Sequence, residues 1–97
     1  MSVTVTIVST KPTILKTWFL FDATHSAHFK ELLSNKTFAY TETLSDDKLT
    51  QTRVIEFADQ TAADAFLNDP ILAPGFSARE AYNTANGIIL TKTITTA

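Results

Sequence analysis

The stretch from Thr37 to Pro70 constrains this chain most, because it reads as two strands and a helix in immediate succession. TFAYTETL and LTQTRVIEF flank the turn SDDK, and both runs are rich in the β-branched and aromatic residues that suit a pleated, half-buried surface. DQTAADAFLND follows, with Asp59 placed to accept from the free amides of a first helical turn. Pro70 disfavours helical geometry at Asp69 and so ends that segment. A hairpin loop of two residues (Asp46-Asp47) or of four puts Leu44 opposite Leu49, Glu42 opposite Gln51, Tyr40 opposite Arg53 and Phe38 opposite Ile55. Side chains alternate along a strand, so these pairs share one face. Thr37, Ala39, Thr41 and Thr43 take the other, with Thr50, Thr52, Val54 and Glu56.

The flanking segments fit around this unit. Ser2 to Val8 alternates Val3, Val5 and Ile7 with Thr4 and Thr6, the pattern of a strand. Lys11-Pro12 breaks it, since proline cannot donate to a sheet ladder. Thr13 to Phe21 reads as an irregular apolar connection that covers part of the core. Asp22 or Thr24 then caps a helix to about Ser34, with Phe29, Leu32 and Leu33 as its buried stripe. Beyond Pro70, ILAPGF reads as a loop. A two-turn helix follows, opened by a Ser77–Glu80 capping box and stopped at Asn86-Gly87. Ile88 to Thr95 is the last strand, with Ile88, Leu90 and Ile94 on one face. The order predicts an α+β, ferredoxin-like split βαβ: one antiparallel sheet with helices on one face.

At 97 residues the chain is expected to form a single domain, 1–97. A domain this small buries only about 60–65% of its unfolded surface, a deficit that pairing relieves. Its hydrophobic fraction of 44% and charged fraction of 19% are globular values, far from disorder. A net charge of -2 without any Lys/Arg cluster argues against nucleic-acid binding. Cysteine is absent, which removes disulfides, thiolate catalysis and thiolate metal sites. The longest apolar run, Trp18 to Phe21, falls far short of the ~20 residues that span a bilayer. MSVTVTIV reads as a strand and not as a signal peptide, so the expected location is cytoplasmic.

Three groups of residues carry candidate chemistry. His25 and His28 lie three apart on one helix, near one face, where an imidazole could act as a general base. Asp22 and Glu31 extend that row, which fits a solvated helix face equally well; no third ligand argues for a metal. Tyr40, Glu42 and Arg53 meet on the apolar side of the hairpin. There Arg53 either holds an anion beside a tyrosine donor or pairs with Glu42 as a structural contact. Trp18, Phe19 and Phe21 form an aromatic cluster that suits a pocket wall or plain core. The lone glycine of APGF sits in no phosphate-binding pattern.

RVIEFADQTAADAFLNDP, Arg53 to Pro70, resembles the dimeric α+β-barrel superfamily, in particular the small domains grouped with antibiotic-biosynthesis monooxygenases. The carrying features are a strand ending at Phe57, the Asp59 cap, and a helix with Ala62, Ala63, Ala65, Phe66 and Leu67. Most of the chain shares the element order. The resemblance implies two subunits pairing their sheets into a barrel, with any site within the barrel or between sheet and helices. Haem-degrading relatives use an Asn near the first strand and a His on the second helix; both are missing here, so no cofactor is implied. Lys11 to Asp22 is also longer and more aromatic than the usual link.

Two functions follow. One is a homodimer with a binding or assembly role, without catalysis. The other is a cofactor-independent, monooxygenase-like enzyme acting on a small hydrophobic or aromatic molecule. In it Trp18 and Phe38 shape the pocket, His25 or His28 moves a proton, and Arg53, beside Tyr40, holds an oxyanion.

Overall fold

The structure is a computed structural model that describes residues 2–96; the terminal residues of the expected 1–97 domain lie outside the described range. The elements run β1 (Val3–Thr10), α1 (Ala23–Ser34), β2 (Ala39–Leu44), β3 (Thr50–Phe57), α2 (Gln60–Leu67), α3 (Ala73–Asn86) and β4 (Ile89–Thr96). They form one four-stranded sheet in the order β2-β3-β1-β4, antiparallel throughout. This is the ferredoxin-like α+β arrangement, and the helix signals explain how it is assembled. Asp22 Oδ1 accepts the His25 amide at 2.8 Å and opens α1. Asp59 Oδ1 accepts the Ala62 amide at 2.8 Å and opens α2.

The two faces of the sheet differ sharply. Val3, Val5 and Ile7 of β1 point to the helices and are buried, as are Ile55 and Phe57 of β3. Phe66 of α2 stands edge-on to Phe38 at 5.1 Å between ring centroids and tilted against Phe57 at 5.3 Å, geometries aromatic rings favour. The opposite face holds Thr4, Thr6 and Val8 of β1, Thr52 and Val54 of β3, Thr41 and Thr43 of β2, and Thr91 and Thr93 of β4. Among the described residues Glu56 is the one charged side chain on that face, and no helix covers it.

The hairpin register differs from the sequence expectation by two residues. Glu42 pairs with Arg53, Tyr40 with Ile55 and Leu44 with Gln51. The cause is the turn chemistry. Lys48 adopts a left-handed φ of 61°, and its amide donates to the Ser45 carbonyl at 2.9 Å. Asp47 Oδ1 accepts from Ser45 Oγ and from the Leu49 amide. Ser45 is therefore the last paired residue before the loop, bonding Thr50 at 2.9 Å, and Leu49 joins the loop. An even shift keeps every side chain on its expected face but exchanges its partner.

α3 is also longer than expected. Asp69 Oδ1 accepts the amides of Ile71 and Leu72 at 2.8 and 3.2 Å, organising the turn that Ser77 was expected to cap. Pro74 then sits in the first helical turn, where its missing N–H costs no hydrogen bond. APGF is thus the start of a helix and not a loop. Gly87 stops it at φ 69°, as the Asn86-Gly87 signal predicts. In α1 the buried residue is His25; Phe29 and Leu32 are half-buried, and Leu33 faces outward. Thr13 to Phe21 is irregular, as expected, yet Leu15 and Leu20 are exposed and only Trp18, Phe19 and Phe21 turn partly inward.

Candidate functional site

Between the helix face of the sheet and helices α1 and α3 lies a cavity of about 710 Å³. Strand alternation builds its floor: Val5 and Ile7 of β1, Tyr40 of β2, and Arg53 and Ile55 of β3 all point the same way. Phe21, His25 and Phe29 form one wall and Phe76, Arg79 and Asn83 of α3 the other. The lining is largely apolar and aromatic, with a few convergent polar groups, the composition of a small-molecule site.

Phe21 orders the polar groups. The His25 ring stacks on it at 3.9 Å between centroids, 9° from parallel. The Arg79 guanidinium carbon lies 5.7 Å from the Phe21 centroid and 5.5 Å from that of Phe76; that of Arg53 lies 6.0 Å from Phe21. His25 is 4% exposed, and its Nδ1 is buried without a hydrogen-bond partner. Burial holds its pKa below the ordinary histidine value, and the Arg79 charge pushes the same way against Asp22, so the ring is neutral at pH 7. α3 approaches this ring through Gly75: a Cβ there would fall 2.9 Å from His25 Cε1 and 3.0 Å from Phe21 Cδ1, and closer still to Nδ1.

The other polar groups are set by their surroundings too. Burial raises the Tyr40 pKa, with the Arg53 charge opposing, so the phenol stays a neutral donor. Arg53 Nε donates to Glu42 Oε1 at 3.2 Å, and Gln51 Nε2 reaches the same oxygen at 2.8 Å. Burial lowers the Arg79 pKa to about 10, the Arg53 charge adding to it, and the guanidinium remains charged at neutral pH.

Of the residues singled out from sequence, His25, Tyr40 and Arg53 converge on this cavity. His28 does not: its Nε2 meets Asp69 Oδ2 at 2.8 Å and ties α1 to the turn before α3. Burial tends to raise the Asp69 carboxyl, but that bond and the amides of Ile71 and Leu72 outweigh it and hold it below its usual value. Phe38 lies in the core, 5% exposed. Trp18 packs under the Lys11 ammonium at 4.7 Å, outside the cavity lining. Tyr40 and Arg53 are not cross-strand partners, because the register places Glu42 opposite Arg53. Arg79, Phe76 and Asn83 escaped sequence reasoning. Their signal is helical spacing, Phe76 to Arg79 to Asn83, visible only if α3 begins before Ser77.

No family profile and no curated protein sequence matches the chain. Its structure is nonetheless similar to that of SnoaB, a cofactor-independent oxygenase from Streptomyces nogalater. The TM-scores are 0.61 and 0.59 for two crystal structures, at 16% identity, over 99% of this chain and 92% of that one. A candidate antibiotic-biosynthesis monooxygenase from Deinococcus radiodurans superposes at a TM-score of 0.54 with 15% identity, over 100% and 92% of the two chains. The chain thus shares the α+β fold of these solved structures.

Proposed function

We propose that the protein is a homodimer that binds a compact aromatic molecule in the cavity of each protomer. The observation that carries the binding role is the cavity itself: aromatic walls, a floor where Val5, Ile7 and Ile55 lie beside Tyr40 and Arg53, and polar groups converging from α1, β2, β3 and α3. The dimer rests on the uncovered sheet face. Its threonines and valines are self-complementary, and it brings almost no like charge against itself, which suits the isologous packing of a second sheet. Sedimentation equilibrium tests the pairing. The wild type is expected at twice the 10.7 kDa chain mass, and Val54→Lys, which plants a charge on that face, at the mass of one chain. A wild-type monomer at every concentration would sink the paired barrel.

His25 favours a second reading, cofactor-independent oxygenation. Dioxygen reacts without a cofactor only when the substrate itself donates electrons, and a neutral buried base supplies such a substrate by deprotonating it. His25 would take a proton from an acidic methylene, and the carbanion would give two electrons to dioxygen as the C–O bond forms. Loss of water from the resulting hydroperoxide leaves a ketone. Tyr40 and Arg53 line the cavity where the developing oxyanion would sit. Oxygen uptake with a fused aromatic ketone bearing such a methylene is expected to fall about 100-fold or more in His25→Gln. Uptake equal in the two proteins leaves the binding role alone standing.

A further inference from the structure

The cavity gathers positive charge in a chain whose charge is negative. Lys30, Arg53, Arg79 and Lys92 line it against the single acid Glu80, whereas the whole chain carries more acids than bases and a net charge of -2. The two lysines and Glu80 stand at the exposed rim, but the arginines are half-buried. Arg53 is partly neutralised by Glu42, through Nε only. Arg79 has no carboxylate within 4 Å among the described residues, Glu80 beside it included. A guanidinium offers five N–H donors in a planar fork. Its guanidinium lies within cation–π range of Phe21 and Phe76, a contact that uses none of those donors. The positive charges of Arg53 and Arg79 also disfavour each other, which an anion between them would relieve.

We propose that the ligand is a compact aromatic acid whose carboxylate is held by Arg79 together with Arg53, its ring lying against Phe21 and Phe76. This rests on the binding role proposed above and specifies the chemistry of that site. Guanidinium and carboxylate match as a bidentate pair, and the surrounding aromatic rings keep water from competing. Tyr40 serves as a neutral donor at the same floor. Glu42 engages Arg53 through Nε, and no carboxylate pairs with its two terminal nitrogens among the described residues.

Calorimetric titration of the full chain with 2-naphthoate and with its neutral isostere 2-naphthamide, at pH 7 and low salt, tests the assignment. In the wild type the acid is expected to bind roughly ten- to a hundredfold more tightly than the amide. Arg79→Gln should bring the acid-to-amide ratio close to one, and Arg79→Lys should keep part of it. Equal affinities for acid and amide in the wild type overturn the anion assignment and leave aromatic binding intact. Binding of neither probe overturns both. A preference for the acid that survives in Arg79→Gln and in Arg53→Gln refutes the assignment to these arginines.

Discussion

Gly75→Ala probes the contact on which the cavity wall depends. An added Cβ would lie 2.9 Å from His25 Cε1 and 3.0 Å from Phe21 Cδ1, and closer to Nδ1, against a ring that is buried and stacked. At an open helical position the same change stabilises by about 0.5–1 kcal/mol, because alanine loses less backbone entropy. Here overpacking, which costs about 1–3 kcal/mol, must outweigh that gain, since neither ring is the free end of a flexible side chain. The net expectation is a loss of about 1–2 kcal/mol, or about 5–15 °C in melting temperature for a domain of this size. Thermal unfolding followed by circular dichroism measures it. The same substitution in a His25→Ala background should cost markedly less, because the nearer of the two rings is gone and only Phe21 remains; the double-mutant cycle isolates the His25 contact. A Gly75→Ala protein that is more stable than wild type, with His25 present, refutes the close approach of α3.

Two further outcomes follow from the packing and the charges. Phe57 is fully buried, so Phe57→Ala should cost about 3–5 kcal/mol, a large part of a small domain's stability, readable as a shift in the urea midpoint. His25 has a folded-state pKa below its unfolded value, so the unfolded chain binds more protons as the pH falls through the range near 6.5. Its contribution is therefore intact above that range and is lost below it: the melting temperature should fall between pH 7 and pH 5, and less steeply in His25→Asn. The charges around it that act in this window are Asp22, Arg79 and His28. Asp69, held low, adds its own loss only in more acidic solution.

The fold was largely legible because its signals are local. Alternation in β1, the Asp22 and Asp59 caps and the Gly87 stop each act within a turn or two, and each stands where the sequence reads it. What escaped depends on groups that compete for the same amides. Ser77 and Glu80 resemble a cap, but Asp69 and Pro74 start the helix earlier and turn that pair into ordinary helical surface. The hairpin turn was recognised, but not that Lys48 would take the left-handed conformation and draw Leu49 into the loop. The cavity was half visible. His25 lies on a helix and Tyr40 and Arg53 on the two strands of a hairpin, and no local pattern encodes the meeting of that helix with that hairpin. Arg79 was missed because its relevance comes from the absence of a nearby acid, which only the folded arrangement reveals.

The central claim, that the cavity beneath the helices is the ligand site, is tested most directly by NMR titration of the labelled protein with 2-naphthol. The account predicts shifts concentrated at Phe21, His25, Phe29 and Arg79, with the methyls of Thr6, Thr52 and Thr93 on the opposite sheet face unmoved. Shifts confined to those threonines, or none at all up to about 1 mM probe, would contradict it.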